Sequence, residues 1–212
     1  MKVANAWAWT WALLGLACFG VQAQGLPKPK EFYFDEDRST TRAIVAVPGQ
    51  GDAVVDRLAS IVQRDPRAVE ARVQLAGIAF RSGRRELGEQ LYRAAIESMS
   101  SNSQQYRTVI WNYGWDLLRV GDAARAVEQW ALLANGRPAT PEWLPPTLAL
   151  GLWRAGRKDE ALQWYGAAMR TWPDKWGNGA NLATQLPDWS EADRATLADV
   201  LAAWQANPPA WP

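Results

Sequence analysis

Histidine is absent from this 212-residue sequence, and cysteine occurs once, as Cys18. These two residue types supply most nucleophile–base pairs and most transition-metal sites in proteins. The chain therefore cannot form a Ser-His-Asp or Cys-His catalytic set, a Cys/His metal site or an internal disulfide. Catalysis would need a carboxylate pair or an activated serine or lysine, and no spacing in the sequence singles one out. We expect a protein that is not an enzyme and that has no catalytic residues, no cofactor and no metal.

An excess of one charge is also missing. The chain has 23 Lys and Arg residues against 22 Asp and Glu residues, a formal net charge of +1. Binding to nucleic acid requires a basic face. We therefore expect no nucleic-acid partner.

The first 23 residues have the layout of a secretory signal peptide. Lys2 precedes an apolar run from Ala6 to Val21, and Val21-Gln22-Ala23 offers small residues for cleavage before Gln24. We expect export to a bacterial periplasm after removal of residues 1–23. Two alternatives are open. An uncleaved segment would anchor the chain in a membrane, since about 20 apolar residues span a bilayer, and this segment would be the protein's one membrane contact. Lipid attachment at Cys18 is the other, although the usual leucine three places earlier is missing.

One helical-hairpin pattern occurs twice between Tyr113 and Pro173. The first copy has Tyr113-Gly114, Leu117, Gly121, Ala126, Trp130 and Pro138, and the second has Leu148-Ala149, Leu152, Gly156, Ala161, Tyr165 and Pro173. A looser copy comes before them, with Leu75-Ala76, Ala79, Gly83, Gly88, Tyr92 and Ala95. Small residues let two helices approach, glycine turns the chain between them, and proline stops the second helix.

This pattern resembles the tetratricopeptide repeat, a helix-turn-helix unit of about 34 residues. The resemblance covers residues 67–173 as three hairpins, with helices predicted at 68–81 and 85–99, 104–119 and 123–135, and 142–155 and 158–172. It implies an all-α fold in which stacked hairpins form a right-handed superhelix. It also implies that the chain binds another protein or a peptide.

The flanks of the repeats are predicted to differ from them. Residues 24–51 form a non-helical N-terminal arm, with a short extended segment at 40–47 that lies against the first helices. Residues 52–66 form a half-repeat helix capped by Asp52. Residues 174–212 form a loop and a C-terminal capping helix, which begins at a capping box of Ser190 and Asp193 and seals the last apolar face.

The helix predicted at 104–119 has two apolar stripes. Ile110, Tyr113, Gly114 and Leu117 form the first, which packs within the hairpin. Trp111, Trp115 and Leu118 form the second, which is rotated away from it. By the resemblance, the first helix of each hairpin lines a concave groove. The candidate partner-binding residues of this groove are Phe80, Arg81, Trp111, Asn112, Trp115, Arg119, Leu150, Trp153 and Arg154.

The tryptophans of this set have two interpretations. They pack against the arm or the next hairpin as core residues, or they bind an apolar or extended segment of a partner. Both hold if the arm, through Phe32, Tyr33 and Phe34, occupies the groove until it is displaced. Arg81, Arg119 and Arg154 are likewise either solvated helix ends or a row that contacts carboxylates of a partner.

The leading hypothesis is a periplasmic interaction module that acts as a scaffold or adaptor in an envelope or secretion assembly. The alternative is a module that binds glycan or peptidoglycan, because exposed tryptophans stack on sugar rings. The sequence shows no amide and acid residues clustered around Trp111 and Trp115, which favours the first hypothesis.

Overall fold

The computed structural model describes residues 26–29, 37–135 and 139–210, and within these ranges it contains α-helices and one 3₁₀ helix but no β-strand. The predicted all-α fold is confirmed. The expectations for residues 1–23, for Cys18, for Phe32, Tyr33 and Phe34, and for Pro138 lie outside the described residues.

The helices pack against their neighbours in sequence order. Pairs form between α2 and α3, α4 and α5, and α6 and α7, and α10 packs on both α6 and α7. Each helix predicted between 68 and 172 differs from the structure by at most two residues at either end. The bounds are α1 Asp52–Arg64, α2 Val69–Arg81, α3 Arg85–Glu97, α4 Gln104–Arg119, α5 Ala123–Ala134, α6 Leu144–Arg154, α7 Lys158–Thr171, α8 Pro173–Trp176, α9 Leu182–Gln185 and α10 Glu191–Ala206.

The turns between paired helices have one geometry in all three hairpins. Gly83, Gly121 and Gly156 have φ angles of 74°, 85° and 78°, in the left-handed region that glycine adopts without strain. The residue after each glycine donates its N–H to a carbonyl five residues back, for example Asp122 to Leu117 at 2.9 Å. This is the Schellman closure of a helix. The predicted role of the turn glycines is confirmed.

Trp130 of α5 is wedged between α4 and α6. It is fully buried, and a Cβ added at Gly114 of α4 would lie 2.5 Å from its Cε2. On its other side, a Cβ at Gly151 of α6 would lie 3.0 Å from its Cζ3. Small residues at these two places let one large ring join a hairpin to the next. Within the first hairpin, Gly88 of α3 makes room for the ring of Phe80 of α2, because a Cβ there would lie 2.5 Å from Phe80 Cδ2.

Two local predictions are wrong at the flanks. The N-cap of α1 is Gly51, and Asp52 lies in the first turn, where its carboxylate faces the positive end of the helix dipole without a capping hydrogen bond. The stretch from 173 to 185 is not a plain loop, because α8, a 3₁₀ helix at Gly179–Asn181 and α9 follow one another there. The hydroxyl of Tyr165 donates to the carbonyl of Trp176 at 2.7 Å and ties this segment to α7. The cap at Ser190 is confirmed, since its Oγ accepts from the Asp193 N–H at 3.1 Å.

Candidate functional site

Side chains from the first helices of the hairpins bind the backbone of the arm. Gln74 of α2 contacts both polar groups of Val47: its Nε2 donates to the carbonyl at 2.7 Å and its Oε1 accepts the N–H at 2.8 Å. Asn112 of α4 donates to the carbonyl of Arg42 at 3.0 Å. Gln74 and Asn112 occupy equivalent places in the two hairpins. Because amide side chains bind peptide groups whichever side chains follow, this row holds a chain segment without regard to its sequence.

A carboxylate anchors the other end of the arm. Asp37 pairs with Arg107 of α4 at 2.5 Å, and the two side chains are only 6% and 12% exposed. The Asp37 carboxylate also accepts the N–H groups of Ser39 at 3.1 Å and Thr40 at 3.0 Å. Burial raises the pKa of Asp37, but the hydrogen bonds from Thr40 and Ser39 outweigh it, so the pKa lies below its ordinary value. The indole of Trp143, just before α6, donates to the Asp37 carbonyl at 2.9 Å.

A cavity of about 1010 Å³ lies beside the arm. We call it the tryptophan cavity. Its walls come from the arm, from α4, from the start and end of α6, and from the segment that joins α9 to α10. The lining residues are Thr41, Arg42, Ala43, Trp111, Asn112, Trp115, Arg119, Trp143, Thr147, Arg154, Gln185, Leu186, Pro187, Asp188, Trp189, Ser190, Ala192 and Asp193.

Four lining tryptophans and the neighbouring Trp130 contact one another edge to face and form a tryptophan cluster. The ring centroids of Trp111 and Trp143 are 4.7 Å apart, and those of Trp115 and Trp189 are 5.0 Å apart. Trp130 packs beneath, 5.3 Å from Trp115. Trp111 and Trp115 are 6% and 7% exposed, so most of each ring is packed while an edge borders the cavity. Most of each ring is therefore part of the core, and only the edge at the cavity is accessible to a bound segment.

Two arginines at the cavity are held by carboxylates. Arg119 pairs with Asp116 at 3.0 Å, yet its side chain stays 57% exposed. Arg154 pairs with Asp193 of α10 at 2.7 Å. Asp116 is buried and accepts the hydroxyl of Tyr92 at 2.7 Å. Burial of Tyr92 and the charge of Asp116 raise the pKa of that hydroxyl well above its ordinary value. These carboxylates fix the arginines in place and balance their charge.

The structure brings together part of the predicted site. Five of its residues line the cavity, namely Trp111, Asn112, Trp115, Arg119 and Arg154. Arg81 is exposed and does not line it. Leu150 is fully buried on α6, the helix against which α10 packs.

Phe80 and Trp153 occupy one repeat position, and that position faces the second helix of its own hairpin. Phe80 is 3% exposed against Gly88 of α3. Trp153 has the Nζ of Lys158, at the start of α7, 3.4 Å from its ring centroid. Neither side chain lines the tryptophan cavity.

The sequence reasoning missed the wall formed by Gln185–Asp193 and the role of Gln74. An amide at the same repeat position as Asn112 was a usable signal for Gln74. For the C-terminal wall no such signal existed, because the repeat period says nothing about where the segment after the last hairpin returns. That wall also places Gln185 and Asp188 at the cavity with Trp115, so amide and acid groups do surround the tryptophans.

No protein-family model matches the sequence, and no curated protein or solved structure is significantly similar to it. In the ranges that the structure describes, no helix has the length and apolar character needed to cross a bilayer. The same ranges contain no group of three or more acidic or sulfur-bearing side chains arranged to hold a metal ion. Function must therefore be inferred from the geometry of the arm and the tryptophan cavity.

Proposed function

We propose that this protein is a tetratricopeptide-like interaction module that binds an extended segment of a partner protein in the tryptophan cavity. In this proposal the paired helices from α2 to α7 stack as a right-handed superhelix whose concave side is formed by α2, α4 and α6. The half-repeat α1 and the helix α10 cover its two ends. The module has no catalytic activity of its own.

The observation that carries the proposal is the binding of the arm. Gln74 and Asn112 hold Val47 and Arg42 by their peptide groups, and Trp143 holds Asp37 in the same way. The face formed by the first helices thus already accommodates one segment without regular secondary structure. The tryptophan cavity continues this face on the other side of residues 41–43. A partner segment there meets aromatic rings together with amide and guanidinium donors, a composition typical of binding hot spots.

The proposed setting is the bacterial periplasm, with a scaffold or adaptor role in an envelope or secretion assembly. The signal-peptide layout of residues 1–23 supports export, and a chain whose one cysteine lies within that segment has no need of disulfide chemistry there. A formal net charge of +1 fits a protein partner better than nucleic acid.

Binding of glycan or peptidoglycan is the second candidate. Asn112, Gln185 and Asp188 lie around the cavity and offer the polar groups that sugar hydroxyls require. However, Trp111 and Trp115 expose only 6% and 7% of their surface, which leaves little ring face on which a sugar could stack. The peptide proposal does not depend on an open ring face.

Peptide binding to a variant whose cavity is filled tests the proposal. Ala192 is exposed at the start of α10 and lines the cavity, so Ala192→Trp fills the space without changing the core. Ala195, also exposed on α10 but away from the cavity, gives the matched control Ala195→Trp. Peptides selected from a displayed random library on the wild-type protein should bind Ala192→Trp at least about tenfold more weakly, a difference of about 1.4 kcal/mol. Their affinity for Ala195→Trp should be unchanged.

Two results would contradict the proposal. One is the absence of any selected peptide, and the other is a set of peptides that binds both variants equally. Peptidoglycan binding that Ala192→Trp alone abolishes would assign the cavity to the second candidate instead.

A further inference from the structure

The tryptophan cavity is lined by indole hydrogen-bond donors that have no acceptor on the protein. Trp111 and Trp115 are more than nine-tenths buried, but their indole nitrogens keep contact with solvent, and no described residue accepts a hydrogen bond from either nitrogen. The indole nitrogen of the half-buried Trp189 also has no acceptor among the described residues. Two other indoles of the cluster are satisfied, since Trp130 donates to the Trp111 carbonyl and Trp143 to that of Asp37. An occupant that displaces water from these nitrogens must bring acceptors, because a donor that becomes buried without one costs about 1–3 kcal/mol. These indoles therefore favour an occupant that brings acceptors.

The charged groups at the cavity strengthen this donor character without creating a strong anion site. The guanidinium groups of Arg119 and Arg154 can only donate. Each already faces a carboxylate, at 3.0 Å and 2.7 Å. Asp188 adds a further negative charge at the rim. These carboxylates would repel an acidic segment, whereas they would not repel a neutral segment that is rich in acceptors.

We infer that the tryptophan cavity recognises a proline-rich stretch of the partner segment, an inference that rests on the proposed function. Proline presents a carbonyl acceptor but no N–H. A polyproline II segment thus offers acceptors to the indole donors without adding donors of its own that would stay unpaired. Its rings pack on the more exposed Trp143 and Trp189, and its backbone is already ordered before binding. The cavity volume of about 1010 Å³ accommodates a short stretch of such a segment.

Titration calorimetry with two capped peptides of equal length tests the inference. One repeats Ala-Pro-Pro, and the other has alanine in place of every proline. The proline peptide should bind the wild-type protein at least about tenfold more tightly than the alanine peptide. Ala192→Trp should abolish the difference, because it fills the cavity while every native tryptophan that lines it is kept.

Removal of single indole donors tests the mechanism. Trp115→Phe and Trp111→Phe keep an aromatic ring and remove the N–H, so each should weaken binding of the proline peptide about fivefold, as expected for one neutral hydrogen bond. Trp153→Phe removes an indole that does not line the cavity and should leave affinity unchanged. Circular dichroism of each variant checks that it is folded, and a variant that is not folded is replaced by Trp189→Phe at the cavity rim.

The outcomes separate the inference from the function that it refines. Equal binding of the two capped peptides overturns the inference, as does unchanged affinity in the indole variants. If library peptides that depend on an open cavity lack proline, the proline preference is wrong while the proposed function stands. If no peptide of any composition binds, both are wrong.

Discussion

The ion pair between Asp37 and Arg107 should control whether the arm stays on the helices. The two groups are 2.5 Å apart, with side chains 6% and 12% exposed, so water screens their attraction little. Asp37→Asn keeps the size of the side chain and still accepts from Ser39 and Thr40, but it removes the charge that faces Arg107. Hydrogen bonds to charged groups contribute about 1.5–3 kcal/mol. A loss of about 2 kcal/mol corresponds to a roughly 30-fold larger population of detached arm.

Trypsin cleavage after Arg42 measures this population. The side chain of Arg42 is exposed, but Asn112 holds its carbonyl against α4, so cleavage requires the arm to leave the helices. When detachment is fast relative to cleavage, the cleavage rate follows the population of the detached state. We expect cleavage at Arg42 to be roughly 30-fold faster in Asp37→Asn than in the wild type, while the helical circular dichroism signal stays the same.

The exposed pair between Arg42 and Glu70 provides the matched control. Their atoms are 3.7 Å apart, and the side chains are 65% and 49% exposed. Surface pairs contribute about 0–1 kcal/mol. Glu70→Gln should therefore change the cleavage rate at most about fivefold. The reasoning is refuted if Asp37→Asn is cleaved no faster than Glu70→Gln.

Three further predictions follow from the packing and the charges. Gly114→Ala drives a Cβ into Trp130, so urea denaturation should show a loss of about 1–3 kcal/mol from overpacking, although alanine favours a helix by about 1 kcal/mol. Tyr92→Phe removes the hydrogen bond to Oδ2 of the buried Asp116 carboxylate, while Arg119 still pairs with Oδ1, and the expected loss is about 1.5–3 kcal/mol in the same assay. The folded pKa of Asp37 is depressed, so its contribution to arm binding is complete above its ordinary pKa of about 4 and is lost as the pH falls through the lower folded value.

Each of these predictions has a control or a contrary result. A Cβ at Gly179 would meet nothing closer than 3.9 Å, so Gly179→Ala should leave stability nearly unchanged. Equal losses of stability in Gly114→Ala and Gly179→Ala would contradict the tight packing of Trp130 against Gly114. Tyr106→Phe removes a hydroxyl without a hydrogen-bond partner among the described residues and is the control for Tyr92→Phe. The acid effect is read from the NMR signal of the Trp143 indole, and a shift centred well above pH 4 would contradict the assignment to Asp37.

The repeat positions made much of the fold predictable. A glycine at the same place in each hairpin marks a left-handed turn, and the small residue at Gly114 marks where Trp130 crosses between helices. These are local constraints, so spacing in the sequence is enough to locate them. The direction of the second stripe on α4 was also predictable, since Trp111 and Trp115 are one turn apart.

The remaining part of the site depends on contacts between distant segments. Trp189 reaches Trp115 because the segment between α9 and α10 folds back over the hairpins, and no periodic pattern describes that return. Spacing alone places Phe80 and Trp153 at the positions that correspond to the second stripe of α4. Each side chain instead contacts the second helix of its own hairpin, and the sequence does not show how close that helix lies. The contact between Gln74 and Val47 also joins segments that are distant in the sequence, so spacing did not predict it.

The indole N–H signals in a ¹⁵N–¹H NMR titration test the central claim most directly. A library-selected peptide should shift the signals of Trp111, Trp115 and Trp189, which line the cavity and have no acceptor among the described residues. The signals of Trp176 and Trp204, whose nitrogens are closed off from solvent, should stay in place. Shifts confined to these last two, or to none of the five, would contradict a binding site for an extended segment in the tryptophan cavity.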